Sequence, residues 1–147
     1  MTHSEKAVEL FNQGYNCSQA VFGAFAEDVG LPEDVALKLA TPFGGGVGRM
    51  REICGACSGM LMALGLREGY ATPETGPAKA AHYETVRQLL AAFAAENGSF
   101  ICREILKTAE TGGTPAPRTA AYYHERPCER CVRTAAEILD RYWDGNL

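Results

Sequence analysis

Cys54-Gly-Ala-Cys57 and Cys128-Glu-Arg-Cys131 form two Cys-x-x-Cys pairs in a chain that carries two further cysteines, Cys17 and Cys102. A deprotonated thiol is both a metal ligand and a nucleophile toward disulfides. Six cysteines in 147 residues therefore point to metal binding or redox chemistry. The opening MTHSEKAVELF has no basic-then-apolar leader, so a reducing, cytoplasmic setting is expected. In that setting dense cysteines serve as metal ligands or redox thiols rather than structural disulfides.

The six thiols can be grouped in more than one way. Cys54/Cys57 with Cys128/Cys131 have the pair spacing of a tetrahedral zinc site, but the pairs are much further apart in sequence than in small zinc modules. One Cys-x-x-Cys alone would suit a thioredoxin-like dithiol, for which the βαβ context is missing. A third grouping takes Cys17, Cys54, Cys102 and Cys128, one from each of four helices. Such a set could hold an iron–sulfur cluster or act as metal-free redox thiols.

The elements that must position these thiols all read as helix, and no convincing period-two strand is present. Ala7, Leu10, Phe11 and Gly14 share one face of a first helix, with Ser4 as N-cap. Asn16 caps a second, carrying Cys17, Ala20, Val21, Ala24 and Phe25 and ended by Gly30. Pro32-Glu33-Asp34 opens a third, running to Ala40. Pro42 to Gly48 reads as a flexible glycine-rich loop, followed by a helix from near Cys54 to Leu66. A linker over Tyr70–Pro77 leads to a long helix over Ala78–Glu96, stopped by Asn97-Gly98. Ser99 caps a short helix through Cys102, Ile105 and Leu106. The stretch Thr108–Arg118 is irregular, and a last helix starts near Pro127. The expected fold is all-α, a compact array of about six to seven helices in one domain spanning residues 1–147.

Each helical residue turns about 100° around the axis, which sets where each thiol points. On the last helix Cys128 falls in the middle of the stripe made by Val132, Ala135, Leu139 and Trp143, and Cys131 falls at its edge. Cys17, Cys54 and Cys128 lie in first turns, where free amide donors and the helix dipole favour a thiolate. Cys102 is expected one position further in.

These blocks resemble the bacterial and archaeal family of redox-active proteins named for its C…CGAxxG…C…C cysteine pattern. The resemblance rests on Asn16-Cys17-Ser-Gln-Ala-Val21, the run Phe43–Met50, Cys54-Gly-Ala-Cys-Ser-Gly59, Cys102-Arg-Glu-Ile-Leu106, and Cys128 with Val132–Leu139, over about residues 5–140. It implies a redox role for Cys17, Cys54, Cys102 and Cys128, and makes Cys57 and Cys131 accessory. Electron transfer through an iron–sulfur cluster is the expected function. Structural zinc, or metal-free thiol–disulfide exchange, is the alternative.

Gly44, Gly45, Gly46 and Gly48 are expected to border this site and any group held in it, letting the backbone pass close to the thiols. They do not make a nucleotide loop: position 49 is arginine, and no Gly-Lys-Ser/Thr follows. Arg49 and Arg51 could lower thiol pKa values by proximity. His124 is a better candidate ligand or proton donor than His82, and His3 has no expected role. Tyr122, Tyr123, Tyr142 and Trp143 are expected to pack the last helix or an interface, and Met60 and Met62 to fill the core. A net charge of −4 argues against nucleic-acid binding, and no apolar run is long enough to span a bilayer. The expected partner is a redox protein, and a homodimer is expected from the prevalence of symmetric pairs.

Overall fold

A computed structural model describes residues 1–73 and 75–147. Glu74, inside the expected linker, lies outside the described residues. The helices are α1 (His3–Asn12), α2 (Cys17–Phe25), α3 (Glu33–Ala40), α4 (Gly55–Glu68), α5 (Pro77–Asn97), α6 (Cys102–Leu106), α7 (Ala120–Glu125) and α8 (Cys128–Trp143). Among the described residues the one β pairing is an isolated bridge between Ile53 and Ile101. The fold is all-α, as expected.

α2 is the central helix. Ala20 through Phe25 are all buried, and α1, α3, α4 and α8 pack around it. A helix apolar on every side belongs in the middle of a fold. Phe11, Phe22, Phe25, Met60, Leu64 and Leu139 fill the surrounding core. Small residues set the closest approach. A Cβ on Gly59 would lie 2.7 Å from the Ser18 carbonyl oxygen, and one on Gly55 would lie 3.1 Å from the Ser18 nitrogen. α4 can therefore press its first turns onto the start of α2, which brings Cys54 next to Cys17.

Several local expectations change. Thr2, not Ser4, caps α1: its side chain accepts from the Glu5 N–H, and Glu5 closes a capping box. His3 has a structural role after all. Its ring stacks on Phe25 with centroids 4.1 Å apart and bonds Asp140 at 2.8 Å, with Asp28 on its other nitrogen. α2 ends at Phe25, and Gly30 closes the turn that follows at φ +78°. Ser99 does not cap α6. It sits two residues before the cap position, Ile101, whose N–H it accepts at 2.9 Å. α7 was not expected. It is short, buries none of its residues, and so leaves no apolar period to read.

The glycine-rich segment is not a flexible loop. After a 3-10 turn over Thr41–Phe43, Gly45, Gly46, Val47, Gly48 and Arg49 have φ of 66°, 69°, 65°, 57° and 65° in succession. They form a left-handed turn, pinned by Gly48 N–H to Pro42 O at 3.0 Å and Glu52 N–H to Gly46 O at 2.9 Å. Glycine adopts this geometry freely, whereas a β-branched residue does so at a cost of about 1–2 kcal/mol. Val47 accepts that strain.

Candidate functional site

Five thiols from four elements line one cavity of about 60 Å³: Cys17, Cys54, Cys102, Cys128 and Cys131. Cys17 opens α2, held by the reciprocal Asn16–Gln19 capping box. Cys54 occupies the cap position of α4, and its N–H donates to Phe100 O at 2.8 Å. Cys102 opens α6, and its N–H donates to Glu52 O at 2.6 Å. These two bonds and the Ile53–Ile101 bridge run segments 51–54 and 100–103 side by side. Cys128 opens α8, and Cys131 follows one turn later.

The glycine turn forms one wall. A Cβ on Gly46 would lie 2.7 Å from the Cys102 Cβ, so this backbone passes as close to the thiols as expected. Gly45 and Gly46 line the thiol cavity. Gly44 and Gly48 instead line an adjoining cleft, where Gly44 abuts the Asn16 side chain.

Hydrogen bonds sort the thiols into donors and acceptors. The Cys54 sulfur accepts from the thiols of Cys131 and Cys57 and from the N–H groups of Ala56 and Cys57, which holds it well below the usual thiol range despite burial. Cys131 is pushed far up by donating to Cys54 and by burial. Burial, then its bond to Cys54, raises Cys57. Cys128 is lowered because it accepts from Cys17, with the charges of Arg126 and Arg118 adding to the effect. Cys17 is raised by that same bond and by burial. Burial raises Cys102, partly offset by Arg51, whose Nη1 donates to its sulfur at 3.8 Å. Each close pair thus joins a favoured thiolate to a protonated neighbour. A thiolate is the form that attacks a disulfide.

Among the described residues, no three Cys, His, Asp or Glu side chains form a group that could hold a metal ion as they stand.

Residues 15–142 match the family model described as "Putative redox-active protein (C_GCAxxG_C_C)". The chain belongs to this family. At positions 54–56 it reads Cys-Gly-Ala, where the family's description prints Gly-Cys-Ala. Nothing among curated proteins or solved structures matches the chain.

The placement of the thiols on α8 differs from the helical wheel. Cys131 is buried at 1% exposure, while Cys128 is half-buried at the cavity edge. The stripe is rotated toward Cys131 because α8 packs against α5 as well as α1, α2 and α4. Cys131 reaches the buried Asn97 of α5, with its sulfur 3.7 Å from Oδ1. Cys102 is the first residue of its helix rather than one position further in. Cys57 is fully buried and does not line the cavity.

Of the other candidates, Arg51 reaches a thiol, and Arg49 turns instead to Thr114 O and Glu110. His124 is exposed on a different surface with Arg130 and Arg133, and His82 stands beside Tyr70. Tyr142 and Trp143 pack the last helix as expected and bond Glu68 of α4 at 2.8 and 2.6 Å. Met60 is core. Sequence reasoning missed Arg118 and Arg126, which line the cavity with Tyr122. Both guanidinium groups stack on the Tyr122 ring, at 4.8 and 4.5 Å from its centroid. No helical spacing signals them, because Arg118 and Arg126 both lie outside α7. No helix of the described residues is long and apolar enough to cross a membrane.

Proposed function

We propose that the protein is a two-electron dithiol redox protein in which Cys17 and Cys128 form the outward pair and Cys54 and Cys131 the inner pair. The observation that carries this reading is that Cys17 and Cys128 line one cavity, with Cys128 favoured as thiolate beside a Cys17 that keeps its proton. Both residues are half-buried at the cavity, and the other four cysteines are buried. In the exchange, the Cys128 thiolate attacks a substrate disulfide R–S–S–R′ and breaks its S–S bond, forming a mixed disulfide and releasing one thiolate. That thiolate takes the Cys17 proton. The Cys17 sulfur then attacks Cys128 and releases the second thiolate. The substrate gains two electrons, and a Cys17–Cys128 disulfide remains. A redox partner protein carrying a dithiol would reduce this disulfide and close the cycle.

Cys102, beside Arg51, is the fifth thiol that lines the cavity. The test is disulfide mapping by mass spectrometry after graded oxidation with a neutral disulfide. The expected first product is Cys17–Cys128. Bridges confined to Cys54–Cys57 or Cys128–Cys131, or no bridge at all, would overturn the reading.

One observation favours a second reading, an iron–sulfur cluster on Cys17, Cys54, Cys102 and Cys128: five thiols converge on one cavity. A zinc version would use Cys54/Cys57 and Cys128/Cys131, of which Cys54 bonds both Cys57 and Cys131. Either would need the thiols to move closer together than they stand here. Anaerobic purification with iron, acid-labile sulfide and zinc analysis decides between them. Stoichiometric iron with sulfide supports the cluster, stoichiometric zinc supports the structural site, and metal-free protein supports the dithiol.

A further inference from the structure

The thiol cavity opens onto a larger cleft of about 380 Å³, and the two share Asn16, Gly45, Arg51, Arg118, Tyr122 and Arg126 as walls. The cleft adds Arg49, so four arginines line one space, and no Asp or Glu is among its lining residues. This is unexpected in a chain of net charge −4. Of the four arginines, Arg49 alone has a carboxylate partner among the described residues, Glu110 at 3.9 Å. Arg118 is fixed by donating to Phe11 O at 3.1 Å and Tyr15 O at 2.9 Å, and Arg126 sits over the Tyr122 ring. Arg51 is 4% exposed, and the buried Nε of Arg49 has no hydrogen-bond partner. Holding this much positive charge together is unfavourable unless an anion neutralises it. Guanidinium forks match planar carboxylates in particular.

We propose that this cleft is the substrate vestibule and selects a small disulfide that carries carboxylates. The proposal rests on the dithiol reading and deepens it. The carboxylates of the substrate engage Arg126, Arg118 and Arg49, which leaves its S–S bond at the shared wall, facing Cys128. The exchange then runs as above: Cys128–S⁻ displaces one carboxylate-bearing thiolate, which takes the Cys17 proton, and Cys17 displaces the second. The cleft is of small-molecule size, which favours a compact substrate over the surface of an acidic protein.

The test compares oxidation of the reduced full chain by three disulfides of similar size: dithiodipropionate (a dianion), bis(hydroxyethyl) disulfide (neutral) and cystamine (a dication). At low salt the dianion is expected to react at least about tenfold faster than the neutral compound, and the dication more slowly than either. High salt should shrink this difference. Arg126→Gln and, separately, Arg49→Gln should each lower the dianion-to-neutral rate ratio several-fold. Taking the ratio cancels any change in Cys128 nucleophilicity. If the neutral disulfide oxidises the protein but the dianion is no faster, the vestibule is wrong and the dithiol stands. If no disulfide oxidises the Cys17–Cys128 pair, the dithiol reading itself falls.

Discussion

The Arg51 guanidinium donates to the Cys102 sulfur at 3.8 Å, and both residues are buried, at 4% and 7% exposure. Burial raises this thiol, and the neighbouring positive charge works against that effect. Arg51→Gln removes the charge while keeping a polar head, so Cys102 should titrate higher still. The pH dependence of Cys102 alkylation, followed residue by residue, is expected to shift upward, and Arg51→Lys should restore part of the shift. The same variant removes the Arg51 bond to the Glu110 carbonyl, which water can replace, and should cost about 1 kcal/mol of stability. An unchanged alkylation profile would mean that Arg51 does not tune the thiol.

Gly46 and Gly48 both lie in the left-handed turn, at φ 69° and 57°, yet they should respond differently to alanine. At Gly48 a Cβ meets nothing within 4 Å, so Gly48→Ala should cost only the backbone penalty, about 1–2 kcal/mol. At Gly46 the same carbon would lie 2.7 Å from the Glu52 nitrogen and from the Cys102 Cβ. Gly46→Ala should therefore destabilise clearly more and displace Cys102. Urea unfolding of the two variants tests the difference, and equal losses would contradict the close packing of this wall.

Most of this architecture is legible because local rules and global packing agree. Asn16 and Gln19 announce the start of α2, and Gly98 ends α5 in the left-handed conformation. The placement of Cys17, Cys102 and Cys128 at or near helix starts was also readable, because each follows a recognisable break. Three features were hidden. The rotation of α8 toward Cys131 depends on a contact with Asn97, more than 30 residues away, and no helical wheel contains it. The left-handed turn looks like any glycine-rich loop until Val47 and Arg49 are seen to share its φ. The arginine cleft draws its members from segments around positions 50, 118 and 126, and only the fold makes them neighbours.

Stability should fall at alkaline pH, and the thiols set the sign. Cys17, Cys57, Cys102 and Cys131 titrate above the ordinary thiol value of 9.0 in the folded state, as does Tyr122 above 10.0. As pH rises past these ordinary values, the unfolded chain loses protons that the folded chain retains, so the unfolding free energy decreases. Cys54 and Cys128 are lowered and act oppositely: their contribution is present in full above 9.0 and is lost as pH falls through their folded values. Nothing from them offsets the alkaline loss. The denaturant midpoint of the reduced protein should therefore drop between about pH 9 and 11. Cys131→Ser should make that drop shallower, and a midpoint that holds or rises there would contradict the assignment of protonated thiols.

The two members of the outward pair should fail in different ways. Cys128 carries the favoured thiolate, so Cys128→Ser should abolish rapid reaction with a neutral disulfide, leaving only slow modification of buried thiols. Cys17 is the protonated partner that resolves the mixed disulfide. Cys17→Ser should react once and stop, with the reagent trapped on Cys128 as an adduct visible in the intact mass. The first step should stay within an order of magnitude of the unmodified chain, slowed by loss of the Cys17 hydrogen bond that stabilises the thiolate. The accumulating species is the discriminating readout, because general loss of packing would slow both variants without trapping either. An adduct on Cys17 in the Cys128→Ser chain, formed as fast as in the unmodified protein, would reverse the two roles. If instead the Cys17→Ser adduct resolves to a Cys128–Cys131 bridge, Cys131 is the resolving thiol and the inner and outer pairs are one.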